Sequence, residues 1–213
     1  MRGLNVISPN KLLLKGLLAW YVLFSIWMAI DPVDRQNWVL ANVLPVLLIG
    51  ALVATHRKYP FSNVSYVLIT LFLTLHTIGV HYTYAQVPFG YWMEAAFELH
   101  RNHFDRVVHF CFGLLLTYPM GEAFVLIANV RGVLVYYLSL ITPLGLSGVW
   151  EIIESWVAQV VSPQLGDAYL GSQGDVWDAQ KDMAAAFYGA ILCVLLMIAI
   201  RRWYQRSGRL LIT

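Results

Sequence analysis

Three of the pairs of ionisable residues at helical spacing in this sequence could do chemistry. Asp105 and His109 are four apart, so on a helix they share a face. A carboxylate beside an imidazole fixes its tautomer and raises its basicity, as in an acid/base pair or a supported metal-ligating histidine. The same Asp also suits a helix start, where the macrodipole favours negative charge. Glu151 and Glu154, three apart, form a second same-face pair able to ligate a cation or exchange protons. Read as a helix C-terminus, that segment opposes the carboxylates through its macrodipole, so local propensity does not account for them. Asp178 and Asp182 are four apart. Like charges at this spacing repel by about 0.2–0.5 kcal/mol on an exposed helix, and more when partly buried. The repulsion calls for an offset: Arg101, Arg106, Lys181, a bound cation, or a carboxyl that keeps its proton.

Other residues complete the inventory. Ser172 and Asp175 fit a capping box ahead of a helix. His76 and His81, five apart, are about 140° round a helix from each other, which disfavours joint ligation and leaves one of them to hydrogen-bond a neighbouring helix. The candidate catalytic residues are Asp105, His109, Glu151 and Asp182. Glu154, Asp178 and His81 are candidate metal ligands, and His76, Arg106 and Asp175 are further candidates for the same site. An all-oxygen set suits Mg or Mn, while adding His109 or His81 favours Zn. HExxH, CxxC, GxSxG and P-loop patterns are absent from the sequence. Cys111 and Cys193 lie in apolar runs and read as packing residues rather than a disulfide or metal pair.

The elements that must position these residues are membrane helices. Of 213 residues, 59% are hydrophobic and only 12% charged, with mean hydropathy +0.64. A soluble domain carries roughly 25% charged residues, so a cytosolic enzyme, a disordered chain and a nucleic-acid binder are excluded. A bilayer core takes about 20 apolar residues as a helix. Spans are expected near 12–30, 37–54, 64–83, 107–128, 132–152 and 183–202, forming an all-α polytopic bundle in a single integral membrane domain over 1–213. Pro119 and Gly121 in the fourth, and Pro143, Gly145 and Gly148 in the fifth, predict kinks or local unwinding. Aromatic residues with Glu94 and Glu98 between spans three and four predict a short amphipathic interfacial helix. The first apolar run ends at Asp31-Pro32 without a small-x-small cleavage site, which reads as a retained helix.

Orientation follows from Lys and Arg. Arg2, Lys11, Lys15, Arg57, Lys58, Arg131, Arg201, Arg202, Arg206 and Arg209 fall on one side, and Arg35, Arg101, Arg106 and Lys181 on the other. The excess places both termini in the cytoplasm. Acids barely enter that rule, so their distribution is separate information: Glu122 alone falls inside, and every other Asp and Glu falls outside or at the outer end of a helix, with five of the six histidines. Ionisable residues within spans are costly and face a bundle interior or a water-filled cavity.

The chain resembles the YjdF-type inner-membrane family of bacteria. The likeness is carried by His76-x4-His81-Tyr82-Thr83-Tyr84, Arg101-Asn102-x-Phe104-Asp105-Arg106-x-x-His109-Phe110, Glu151-x-x-Glu154 and Gly174-Asp175-x-x-Asp178-x3-Asp182-Met183. From about 105 to 195 it is also similar to VanZ-like membrane domains, whose helix starts with Asp-basic-x-x-His as at Asp105-Arg106-Val107-Val108-His109. Glu151, Asp182 and Gly189 match later positions of that pattern, while Glu154 replaces an amide and Ala186 an Asn. The resemblance implies a fold, an inner-membrane location and a site facing the envelope; it does not supply a reaction.

The foremost expectation is an envelope enzyme performing metal- or acid/base-assisted hydrolysis or group transfer on a lipid or lipid-linked substrate, with membrane lipids as surroundings and a divalent cation (Zn, Mg or Mn) as the cofactor its donor set would hold. The alternatives are a proton-coupled small-molecule transporter or binder, which would place ionisable groups near the midplane, and a non-catalytic structural or assembly factor, in which every polar group would be satisfied. Substrate, metal identity and oligomeric state are left open.

Overall fold

The computed structural model describes residues 9–207; Arg2 and Arg209, counted above on the basic side, lie outside the described residues. Every regular element among them is a helix: α1 (Lys11–Met28), α2 (Arg35–Ala41), α3 (Val43–Thr55), α4 (Asn63–His81), α5 (Pro88–Ala96), α6 (Phe104–Ala128), α7 (Val133–Val160), α8 (Pro163–Leu170) and α9 (Asp178–Arg206). Six segments are long and apolar enough to cross a membrane: α1, α2 with α3 as one broken span, α4, α6, α7 and α9. The chain is thus a polytopic helix bundle, as the lengths of its apolar runs predict. The short helix α5 forms where an interfacial helix is expected, and α8 lies in the α7–α9 connection.

Three local expectations need correcting. First, α7 runs on to Val160 rather than ending near 152, because no Pro or Gly interrupts it until Ser162 caps α8. More than a turn of helix therefore follows Glu151 and Glu154, and the macrodipole argument for that pair falls. Second, α6 and α7 do not unwind at their prolines but remain helical through Pro119 and Pro143. The break comes instead in the second span, at Asn42. Third, the capping box does not form: α9 starts at Asp178, and Asp175 accepts from the Trp177 amide at 3.1 Å within the preceding turn.

The central helix is α6, which packs against α4, α7 and, over its largest interface, α9. Close approach of α6 and α9 depends on missing side chains. A Cβ on Gly113 would overlap the Ala186 carbonyl oxygen, and one on Gly189 would overlap that of Phe110. Ala186 and Ala190 are completely buried between them. In a bilayer, where lipid tails are as apolar as any side chain, such van der Waals fit at small residues holds helices together. Leu23, Val46, Leu71 and Leu195 face outward, as lipid-facing positions do.

The bundle has two chemically different ends. At one, Asn63 Oδ1 accepts from the Asn10 amide at 2.8 Å and Arg201 donates to the Tyr136 hydroxyl at 3.1 Å. Glu122 there accepts from the Ser62 amide and from the hydroxyls of Ser62 and Ser65. This basic end carries Lys11, Lys15, Arg57, Lys58, Arg131, Arg201, Arg202 and Arg206. The opposite end carries the long connections 29–34, 82–103 and 161–177 and nearly all the candidate site residues.

Candidate functional site

The site is built where α6 and α9 begin. Asn102 donates to the Val87 carbonyl at 3.0 Å and accepts from the Phe104 amide at 3.0 Å. The Gln173 side chain accepts from the Asn102 amide at 3.1 Å and donates to the Asn102 carbonyl at 2.9 Å. These bonds lock the α5–α6 and α8–α9 connections together, so the first turns of α6 and α9 meet in one register.

An ion-pair frame closes that junction toward the loops. Arg101, 9% exposed, donates to Asp178 at 2.5 Å and to the Ser172 and Gly171 carbonyls at 2.7 and 3.2 Å. Arg106 pairs with Asp175 and, at 3.2 Å, with Asp178; Lys181 reaches Asp175 at 2.7 Å. The repulsion expected along α9 is thus answered by two arginines on the Asp178 side. The Lys181 ammonium holds the Asp175 carboxyl well below the usual carboxylate range against the opposing effect of burial, and the Trp177 amide and Arg106 add to the lowering. Burial, and then the nearby Arg106 and Arg101 charges, push the His103 imidazole down. As a neutral ring it accepts from Arg106 at 3.2 Å through Nδ1.

Behind the frame lies a second group of ionisable side chains. His109 Nε2 is 3.7 Å from Asp105 Oδ1 and 3.6 Å from Glu151 Oε1, and its Nδ1 is 3.1 Å from the Ser147 hydroxyl. Asp182, 1% exposed, faces the same space from α9, with Oδ1 3.9 Å from Arg106 Nε. Neither Glu151 Oε1 nor Asp182 Oδ1 makes a hydrogen bond within the protein, although buried polar atoms almost always do. Glu154 is buried on α7 within electrostatic reach of Asp105 and Asp182. Burial, with Glu154 adding to it, pushes the neighbouring Tyr169 phenol up to about 12.

A cavity of about 260 Å³ leads to this cluster. Leu48, Phe72 and Leu116 line its apolar length, and His76, Tyr84, Asp105, His109 and Ser147 its polar part. Its rim includes the outward-facing Leu44, Leu146 and Val149, and α3 and α7, which supply that rim, form no extensive interface with each other. The cavity therefore meets the lipid side of the bundle. Its volume exceeds that of an engineered cavity of roughly 150 Å³ that binds benzene.

Of the residues singled out in the sequence, Asp105, His109, Glu151 and Asp182 converge, with Arg106, Asp175 and Asp178 in the adjoining frame and Glu154 behind. His76 lines the cavity but is committed structurally, accepting from Tyr84 at 2.6 Å and donating to the Ala41 carbonyl at 3.2 Å. Burial, and then the Asp105 charge, raise the Tyr84 phenol well above its usual value, so it remains a donor. His81 does not join the cluster. Its Nδ1 meets the Met28 carbonyl at 2.9 Å, and its ring packs on Tyr82. Sequence reasoning missed Tyr84 and Ser147 as site residues. Ser147 carried a signal, standing four before Glu151 on the same helical face. Tyr84 stands in the motif that carries the family resemblance, but its spacing does not place it at the site, because it reaches the cavity through a turn in which Thr83 and Tyr84 both take left-handed backbone angles, φ 55° and 53°.

Comparison with known proteins agrees with this architecture. Residues 13–203 match the family model described as "Predicted membrane protein (DUF2238)". The inner membrane protein YjdF of Escherichia coli (strain K12) is 34% identical over 188 residues, covering 87% of this chain and 90% of the relative. No solved structure matches significantly. The family match runs from α1 into α9, and this multi-pass membrane chain belongs to the DUF2238 family.

Proposed function

We propose that the protein is an envelope enzyme that hydrolyses, or transfers a group from, a lipid or lipid-linked substrate. In this reading the loop-rich end faces the periplasm, and the start of α1 and the end of α9 lie in the cytoplasm of an inner-membrane protein. One observation carries it: a cavity that meets the lipid side between α3 and α7 ends on Asp105 and His109, beside Glu151 and Asp182. A hydrocarbon chain in the apolar length would hold the attached head group against those side chains without leaving the membrane. Along α6 the lining from Asp105 to Leu116 rises about 16 Å at 1.5 Å per residue, close to one leaflet's share of a roughly 30 Å hydrocarbon core.

The chemistry is addition of water, or of an acceptor hydroxyl, to a carbonyl carbon or phosphorus. The incoming oxygen forms its bond as a group of the cluster takes its proton, and the departing oxygen carries that proton away. The test is to incubate the full-length protein in nanodiscs of bacterial total lipid and follow the lipids by mass spectrometry. A lipid species that the wild-type protein consumes should persist with Asp105→Asn and Asp182→Asn, at rates reduced by about 10²-fold or more. Identical lipid profiles with wild-type and empty nanodiscs, or undiminished conversion by both variants, would overturn the proposal.

A further inference from the structure

We infer that Asp105, His109 and Asp182 bind one divalent transition-metal ion, zinc or manganese, with Glu151 placed to accept a proton from a water on that ion. The inference deepens the proposed function and rests on it for the use of the ion, though not for its binding.

One ligand atom from each of Asp105, His109 and Asp182 lies within 4.8 Å of the other two. The separations are informative. His109 Nε2 stands 3.7 Å from Asp105 Oδ1 and 3.6 Å from Glu151 Oε1, beyond hydrogen-bond reach. Groups sharing a tetrahedral ion at about 2.0–2.2 Å stand about 3.3–3.6 Å apart. The His109–Asp105 separation is close to that of two groups on one ion, and Asp182, within 4.8 Å of both, reaches the same centre with a small side-chain adjustment.

Unpartnered atoms point to the same centre independently. The Asp182 side chain is 2% exposed and its Oδ1 makes no hydrogen bond. The nearest cation is Arg106 Nε at 3.9 Å, and that guanidinium is held by Asp175 and Asp178 through Nη2. Glu151 Oε1 is unpartnered as well. Charge leads to the same place: Arg101 and Lys181 are engaged with Asp178 and Asp175, and Arg106 spends its Nη2 on both, leaving Asp182 only the 3.9 Å contact with Arg106 Nε and giving Asp105, Glu151 and Glu154 no Lys or Arg ion pair. Buried carboxylates in that state are costly, and a divalent cation offsets them.

The imidazole is set for ligation. With its proton on Nδ1, facing Ser147 Oγ at 3.1 Å, His109 turns the Nε2 lone pair toward the carboxylates. A partner on the far nitrogen is what orients metal-ligating histidines. One nitrogen and two carboxylates suit zinc or manganese better than magnesium, which takes oxygen ligands and keeps its waters. Three protein ligands with an open fourth position is the pattern of catalytic zinc. Water in that position gives its proton to Glu151 as its oxygen bonds to the substrate carbon or phosphorus, and the departing oxygen takes the proton. His109 is thereby a ligand and not the base.

The test uses the full-length protein in nanodiscs, stripped with a chelator and titrated with Zn²⁺, Mn²⁺ and Mg²⁺ by calorimetry and with Co²⁺ by visible absorption. One zinc or manganese ion per chain is expected, at least tenfold tighter than magnesium, with cobalt d–d bands. Asp182→Asn and His109→Gln should each weaken binding by tenfold or more, His100→Gln should not, and Glu151→Gln should keep the ion while losing lipid conversion. Size-exclusion profiles and thermal midpoints identify variants that merely fail to fold. Absence of stoichiometric binding to folded wild-type protein, or binding indifferent to Asp182→Asn and His109→Gln, would overturn the site. Full-rate lipid conversion after chelation would overturn the ion's role and leave the lipid reading standing. Tight binding without any lipid change would sustain the site and sink the lipid reading.

Discussion

At the scale of single residues, charge in this protein is sorted into a paired frame and an unpaired core only one helical turn apart. His103 reports on the frame. It accepts from Arg106 only as a neutral ring, and burial together with the Arg106 and Arg101 charges lowers its pKa. A lowered pKa favours the neutral form in the folded protein, so the associated stability is present above the unfolded histidine value of about 6.5 and is lost as pH falls through the folded one. The His103 ring protons should therefore titrate by NMR with a midpoint below about 6.5; a midpoint at or above it would refute this picture. Much of this scale is legible in the sequence, because Asp105 with His109, and Asp178 with Asp182, declare a shared face by spacing. The assignment of partners is not. Asp178 and Asp182 look equivalent in sequence, yet one is spent on two arginines and the other faces the cluster, because a turn of α9 carries the second deeper than Arg101 reaches.

At the scale of elements, apolar run length locates all six spans, whereas interruptions are decided by contacts between them. The prolines of α6 and α7 leave helices intact, while Pro45, near the start of α3, coincides with the break in its span. Lacking an N–H, Pro45 cannot bond the Ala41 carbonyl four residues back, and His76 of α4 donates to that carbonyl instead. A histidine legible as chemistry is thereby accounted for by a proline in another helix, a pairing that no local pattern announces. The α6–α9 contact is likewise invisible to hydropathy, which treats Gly113 and Gly145 alike. Space separates them: a Cβ on Gly113 meets the Ala186 carbonyl, whereas nothing lies within 4 Å of one on Gly145. Gly113→Val should lower stability by about 1–3 kcal/mol or more, as overpacking does, and lower the thermal midpoint in detergent. Gly145→Ala should change it little. Equal effects of the two would mean that the close approach of α6 and α9 does not support the fold.

At the scale of the whole molecule, the two ends of the bundle differ in kind, and this difference should set its direction in the membrane. Among the described residues, the basic end holds eight Lys and Arg with Glu122 as its one acid, tied to the start of α4. The other end holds the remaining acids, the long connections and the mouth of the cluster. Positive-inside retention acts on the short basic loops, so Arg57 and Arg131 should face the cytoplasm and His100 the periplasm. All three are exposed, and the two native cysteines, Cys111 and Cys193, are within spans. In a background with both cysteines replaced by serine, His100→Cys should react with a membrane-impermeant maleimide in intact cells of a Gram-negative host whose outer membrane has been permeabilised. Arg57→Cys and Arg131→Cys should react only after the inner membrane is disrupted. The reverse pattern would put the cluster on the cytoplasmic face, where a lipid substrate would have to come from the inner leaflet. Labelling of all three in intact cells would mean that the two ends do not lie on opposite sides of one bilayer.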